Sequence, residues 1–115
     1  MHSSDPSHCL TIWCLCAEWC VICREFKPVF LNLQSAHPQH QWRWIEIEDH
    51  DEALSDIDIK SFPSIVIASS TGQWCFAGAI EPRIDTLFRM VRSSMAGELQ
   101  LTASEAKHWQ ILLGL

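Results

Sequence analysis

The sequence predicts an α/β fold in which a four-stranded mixed sheet carries helices on both faces. A near-continuous apolar run rich in β-forming residues, 10–16, is typical of a strand that is buried on both faces. From residue 26 to residue 33 the apolar positions instead recur at the i, i+3, i+4 and i+7 spacing of an amphipathic helix. Two further β-forming runs, 64–68 and 74–77, flank a turn-forming stretch at 69–72 and indicate an antiparallel hairpin.

The first half of the predicted order is strand, helix, strand. Residues 1–8 are polar and include a proline, so we expect a flexible leader there. The hydrophobic period changes from residue 18 onward, the helix that follows ends near residue 36, and Pro28 inside it is expected to kink it. After a loop, the run at 42–47 is a second strand, which a right-handed crossover places parallel to the first.

The second half contains the hairpin and two more helices. The stretch 46–58 holds seven acids and no Lys or Arg. We interpret it as a solvated edge with a short helix around residues 51–56. The alternative is that its charge favours binding to basic partners.

Pro82 opens a helix after the hairpin. Thr102, with Glu105 three residues on, forms a capping-box pattern that begins a last helix. The helix after Pro82 is predicted to present an inner face of Ile84, Leu87, Phe88, Val91 and Met95. The last helix is predicted to carry an apolar stripe of Ala106, Trp109 and Leu113.

The length, composition and charge of the chain limit the number of domains it can form and the kinds of partner it can bind. With 115 residues, 48% of them apolar, the chain is long enough for one domain with a real core. A formal charge of −6 argues against nucleic acid or an anionic membrane surface as a partner. No apolar run approaches the roughly 18 residues that span a bilayer, and the first eight residues lack the Lys or Arg of a secretory signal. We therefore expect a cytoplasmic monomer whose six cysteines are mainly free thiols.

The most informative motif is a pair of cysteines three apart at the start of the first helix, Cys20 and Cys23. At a helix N-terminus, unpaired backbone N–H groups and the macrodipole favour negative charge, so the pKa of the Cys20 thiol is expected to be lowered. Cys23, one turn further on, would then attack a mixed disulfide formed on Cys20. The alternatives are a pair of packed thiols without exchange chemistry and half of a zinc site.

Two more cysteines, Cys14 and Cys16, lie two apart on the first predicted strand and therefore face the same side of the sheet. We interpret them as small buried hydrophobic residues, and a reserve thiol that exchanges with Cys23 is the sharper alternative. A zinc site made of these two residues with Cys20 and Cys23 has the right number of ligands. Two cysteines on a strand and two at the start of a helix do not easily reach the tetrahedral arrangement that zinc requires. The six histidines show neither an i, i+4 helical pair nor an HExxH pattern, so no metal site is predicted. Cys9 and Cys75 are interpreted as structural or incidental.

Several motifs, in order along the chain, resemble the thioredoxin family over roughly residues 10–96. The segment Ala17-Glu18-Trp19-Cys20-x-x-Cys23 looks like the active-site motif of that family. Pro28 falls where the family kinks its active-site helix, and Pro63 falls where the family has a cis-proline beside the dithiol. Gly78 resembles the family's glycine near the end of the last strand.

The resemblance implies a three-layer, thioredoxin-like fold and a thiol–disulfide oxidoreductase, a protein-disulfide reductase, that acts through Cys20 and Cys23. Its substrates would be disulfide-containing proteins or small disulfides, with a reductase or glutathione for recycling and no bound cofactor. A cis peptide at Pro63 would leave the backbone of Phe62 free to pair with an extended substrate. The residues that the resemblance places at the substrate surface are Trp19, Val21, Ile22, Phe62 and Pro63.

The chain also departs from the family pattern. Too few residues precede position 10 for the family's usual first strand and helix, so we divide the chain into a leader (1–8), a thioredoxin-like domain (9–98) and a C-terminal helical extension (99–115). Val21 and Ile22 replace the family's Gly-Pro between the cysteines.

Beneath the dithiol, Cys14 stands where the family has a buried Asp that assists proton transfer, and Trp44 where it has the Lys that partners that Asp. Cys14 is thus a possible modulator of the dithiol. These losses keep an alternative open, a non-catalytic interaction module that binds a client through its terminal helix or through the edge at residues 62–63.

Overall fold

The computed structural model describes residues 9–16, 21–46, 63–70 and 72–113, apart from the side chain of Leu112. These residues form four strands and three helices. In chain order the elements are β1 (Leu10–Cys16), α1 (Val21–Ala36), β2 (Gln41–Glu46), β3 (Ser64–Ser69), β4 (Trp74–Ala79), α2 (Ile84–Met95) and α3 (Ala103–Leu112).

The strands form one mixed sheet in the order β2-β1-β3-β4. The inner strand β1 pairs parallel to β2 and antiparallel to β3, and β3 pairs antiparallel to β4. The predicted fold class and the parallel first crossover are therefore confirmed. The leader, residue 47 of the second predicted strand and the short helix expected at 51–56 lie outside the described residues.

Alternation along β1 divides the core between the two sides of the sheet. On one side, which we call the α1 face, Ile12, Cys14 and Cys16 pack with α1 and α2. On the other side, which we call the α3 face, Trp13 and Leu15 pack with β3, β4 and α3. Every one of these β1 side chains is buried, as the apolar run predicted, so β1 is the central element of both cores.

Helix α1 runs without a break through Pro28, and its buried side chains are Cys23, Phe26, Phe30 and Leu33. The loop after it is tied to the sheet by His40, whose Nδ1 accepts a hydrogen bond from the backbone N–H of Leu10 at 3.0 Å.

The inner face predicted for α2 is partly wrong. Leu87 and Val91 are buried, but Ile84 and Met95, at the two ends of the helix, are 47% and 36% exposed. The buried spacing continues from Val91 to Ser94 rather than to Met95. Burying Ser94 is possible because its Oγ donates to the backbone carbonyl of Met90 at 2.8 Å.

Helix α3 begins as the sequence predicts, at a capping box. The Thr102 side chain accepts from the backbone N–H of Glu105, and the Glu105 carboxylate accepts from the backbone N–H of Thr102. The predicted stripe of Ala106, Trp109 and Leu113 packs on the α3 face. In the part of the chain that the structure describes, no helix has both the length and the apolar character to cross a membrane.

Candidate active site

The candidate site lies where β1 ends and α1 begins. Cys23, in the first turn of α1, is 1% exposed and packs in the core of the α1 face. The two residues before it point outward, because Val21 is 56% and Ile22 is 48% exposed. Cys20 and Trp19, which complete the predicted motif, lie outside the described residues. The structure thus places a buried thiol beneath an exposed apolar dipeptide.

The thiols of Cys14 and Cys16 lie on the same face as Cys23. Both residues are fully buried, and their Sγ atoms are 3.7 Å apart, close enough for an S–H···S contact. That distance is well beyond the roughly 2.05 Å of a disulfide. The prediction that the two side chains share one side of the sheet is confirmed, and the core that contains them also contains Cys23.

Pro63 brings a third segment to this end of the sheet. It is fully buried and directly precedes β3, whose first residue, Ser64, pairs with Leu15 near the carboxyl end of β1. The carbonyl of Pro63 accepts a hydrogen bond from the backbone N–H of Ile80 at 3.2 Å, which fixes it against the end of β4. Phe62 lies outside the described residues, and the cis isomer at Pro63 stays a prediction.

A functional candidate that the sequence analysis missed is Glu46, the last residue of β2. In the parallel pairing of β1 with β2, the Cα atom of Glu46 lies opposite the Cα atom of Cys16. Its Oε1 accepts a hydrogen bond from Nε1 of Trp44 at 2.9 Å. Its Oε2 is buried and has no hydrogen-bond partner among the residues that the structure describes. The interpretation of residues 46–58 as a solvated edge is therefore wrong for the first of these acids. The available signal was position, since Glu46 is two residues from Trp44 and so shares its face.

Cys75 differs from the thiols at this end of the sheet. It is buried in β4, and burial raises the pKa of its thiol, partly offset by hydrogen bonds with Ser94 and Ser69. Its Sγ donates to the backbone carbonyl of Gln73 at 3.8 Å. Because the thiolate is the reactive form, Cys75 is poorly suited to exchange chemistry.

The described residues contain no group of three or more His, Cys, Asp or Glu side chains arranged to hold a metal ion. The zinc alternative of the sequence analysis needs Cys20, which is not among them.

The sequence of this chain is similar to those of known thioredoxins. A family model described as thioredoxin matches residues 6–93, more than half of the chain. The Arabidopsis thaliana protein named thioredoxin H10 is 30% identical over 50 residues, which are 44% of this chain and 32% of that protein. The matched segment therefore spans about a third of that relative's length.

Solved structures share the fold. The thioredoxin of Trypanosoma brucei brucei superposes with a TM-score of 0.64 at 19% identity, covering 79% of each chain. A chain from a study of thiol resolution in yeast mitochondrial 1-Cys peroxiredoxin, via glutathione and thioredoxin systems, superposes with a TM-score of 0.63 at 15% identity. That match covers 73% of this chain and 77% of the other. Together with the sheet order and the family-model match, these similarities show that the chain belongs to the thioredoxin family.

Proposed function

We propose that this chain is a thiol–disulfide oxidoreductase in which Cys20 attacks a substrate disulfide and Cys23 resolves the product. The observation that carries the proposal is the position of Cys23, buried in the first turn of α1 with exposed residues directly before it. A resolving thiol must be shielded from other oxidants and lie within one helical turn of the attacking sulfur. Membership of the thioredoxin family supports the same reaction class.

The reaction balances without a bound cofactor. The Cys20 thiolate attacks one sulfur of the substrate, the substrate S–S bond breaks, and one substrate thiolate leaves. Cys23 then loses its proton and attacks Sγ of Cys20, the mixed S–S bond breaks, and the second substrate thiol leaves. The substrate has gained two electrons and the domain holds a Cys20–Cys23 disulfide, which a reductase or glutathione must reduce before the next cycle.

We assign the substrate surface to Val21 and Ile22, with Trp19 and Phe62. Pro63, which the sequence analysis placed on this surface, is fully buried and offers no exposed side chain to a substrate. The exposed apolar side chains of Val21 and Ile22 suit the apolar flanks of an unfolded or extended protein segment better than a small charged disulfide. One structural neighbour comes from a system in which glutathione and thioredoxin resolve a peroxiredoxin thiol, and a protein disulfide is our proposed substrate class here too. We further propose that the domain acts as a cytoplasmic monomer.

Separate cysteine variants test the two roles. Cys20→Ser should abolish disulfide reduction, because no attacking sulfur remains. Cys23→Ser should instead accumulate a covalent mixed disulfide on Cys20, which mass spectrometry of the unreduced protein detects. Cys75→Ser is the matched control, because it removes a buried thiol of the same core at a site unsuited to exchange. Full activity of Cys20→Ser in an insulin-reduction assay would contradict the mechanism.

The non-catalytic alternative rests on one observation, that Cys14 occupies the place of the family's buried acid. A folded wild-type protein that forms no mixed disulfide and reduces no substrate, yet retains a client protein, would favour it. The same assays therefore separate the two functions.

A further inference from the structure

The α1 face contains a half-buried carboxylate, Glu46, although Cys14 stands at the position where the family has an acid. Resting on the proposed function, we propose that Glu46, contributed by the neighbouring strand, accepts the proton that Cys23 gives up when it resolves the mixed disulfide. The juxtaposition that carries the proposal is a half-buried glutamate, one of whose oxygens is buried and unpartnered among the described residues, in register with a strand that carries buried thiols.

The register places the carboxylate beside the thiols. Glu46 and Cys16 are Cα partners across the β1–β2 pairing, and such partners project to the same face of a sheet. Cys16 in turn lies 3.7 Å from Cys14, measured between the Sγ atoms. Trp44, whose indole N–H binds Glu46, packs edge-on against Phe30 of α1 at 5.6 Å between ring centroids. Glu46 therefore lies on the side of the sheet that is covered by α1, the helix that carries Cys23.

The hydrogen bonding of Glu46 is asymmetric in a way that suits a proton acceptor. Oε1 is held by Trp44 at 2.9 Å, which fixes the orientation of the carboxylate. Oε2 is buried and has no partner among the described residues. Leaving a carboxylate oxygen buried and unpaired is costly, and a proton taken up by Oε2 would remove that cost.

The strand register and the ring contacts show which ionisable groups share this part of the α1 face with Glu46. Cys16 is its Cα partner, Cys14 contacts Cys16, and Cys23 belongs to the same core. From α1, the Nζ atom of Lys27 lies 5.6 Å from the centroid of the Trp44 ring, whose N–H binds Glu46. The thiols therefore share one part of the fold with a carboxylate that can take up a proton.

The proposed step conserves protons. The S–H bond of Cys23 breaks and its proton passes to Oε2 of Glu46, directly or through the intervening thiols or a water molecule. The Cys23 thiolate attacks Sγ of Cys20, the mixed S–S bond breaks, and the departing substrate thiolate takes up a proton, while Glu46 gives its proton to that thiolate or to solvent. Glu46 is again a carboxylate at the end, and the net reaction is unchanged.

The test uses the two phases of the reaction with an aromatic disulfide, 5,5′-dithiobis(2-nitrobenzoate). The first thionitrobenzoate release reports attack by Cys20, and the second reports resolution by Cys23. A Cys9→Ser background removes the incompletely buried Cys9 thiol. Glu46→Gln keeps an oxygen that accepts from Trp44 but cannot act as a carboxylate base. Glu25→Gln, an exposed acid on α1, is the control for the change in net charge.

In Glu46→Gln the second phase should be slowed about 100-fold or more near neutral pH. The deficit should shrink as the pH approaches about 9, where thiols ionise without help. The first phase should not change, and Glu25→Gln should match the wild type in both phases. Trp44→Phe, which frees Oε1 but keeps the carboxylate, should give a smaller deficit with the same pH dependence.

Three outcomes separate the possibilities. An unchanged second phase in Glu46→Gln, or one slowed equally at every pH, would overturn the assignment, because a purely structural effect carries no pH dependence. If Glu46→Gln does not fold, Trp44→Phe decides the question by the same criterion. A wild-type protein without a Cys23-dependent second phase would instead defeat the proposed function itself.

Discussion

The two faces of the sheet are built on the same strand but bury different chemistry. On the α1 face, β1 contributes two buried thiols, α1 and β4 contribute one each, and β2 contributes a half-buried carboxylate. On the α3 face, the buried side chains of the core are Trp13, Leu15, Val66, Ala68 and Trp74. There the rings of Trp13 and Trp74 stack at 5.4 Å with an interplanar angle of 5°. Under the proposed mechanism, the comparison predicts a division of labour, in which the thiol chemistry belongs to the α1 face and the α3 face contributes to stability alone.

The cover of the α3 face comes from the C-terminal segment. The side chains of Ala106, Trp109 and Leu113, in and just after helix α3, pack against the α3 face of the sheet. The segment before the helix is tied to the sheet, because the backbone N–H of Leu101 donates to the carbonyl of Trp74 at 2.8 Å. An apolar sheet face must be covered by another layer, and here the proposed extension supplies one. The helix therefore belongs to the hydrophobic core and is not merely an appendage.

The sharpest test of the division of labour is Trp13→Ala. Removing a buried, stacked indole should lower the free energy of unfolding by about 3–5 kcal/mol, measured by urea denaturation. Resolution by Cys23 in the protein that remains folded should keep its rate within about twofold. Trp13→Phe, which retains an aromatic ring against Trp74, is the control and should lose less stability. A large change in the Cys23 rate would show that the two faces are coupled.

The second test concerns the buried histidine of the loop before β2. His40 is 4% exposed, and its Nδ1 accepts from the backbone N–H of Leu10. His40→Ala should lower the free energy of unfolding by about 1–3 kcal/mol at neutral pH, because the buried N–H loses its partner.

The same residue predicts a pH dependence of stability. Burial, and then the nearby His37, lowers the pKa of His40 in the folded protein below the value of 6.5. The unfolded chain therefore binds more protons than the folded one as the pH falls below about 6.5, so this stabilisation is full above that pH and declines on acidification. Wild type should lose stability between about pH 7 and pH 5 more steeply than His40→Ala. His108→Ala, at an exposed position, should keep the wild-type slope, and parallel curves for all three proteins would contradict the prediction.

The sequence predicted those parts of the molecule that depend on local periodicity. The two-residue period of β1 placed Cys14 and Cys16 on one side, and the helical spacing of α1 is matched by its buried face. The Thr102–Glu105 pattern correctly marked the start of α3. Each of these features depends on residues close together in the chain.

The features that sequence reasoning missed depend on partners far away in the chain, or on single residues that differ from the average character of the segment around them. His40 and Leu10 are 30 positions apart, and no local pattern links a loop histidine to the first amide of a strand. Glu46 was hidden in a strongly acidic stretch whose mean character is that of a solvated edge. Ser94 took the inner position expected of Met95 because the helical backbone offered its hydroxyl an acceptor.

The smallest expected effect tests the outermost part of the α3 face, the capping box of α3. Thr102→Ala removes the side chain that accepts from the backbone N–H of Glu105 at 3.2 Å, and a lost Ser or Thr cap costs about 1 kcal/mol. Urea denaturation should show this loss, with no change in the rate of Cys23 resolution, because the cap touches only the helix that covers the opposite face. Ser104→Ala, an exposed position in the same first turn, controls for the general effect of introducing alanine. If Thr102→Ala left the stability unchanged while Trp13→Ala lowered it, the α3 face would draw its stability from the tryptophan stack and not from the ordered start of the helix that covers it.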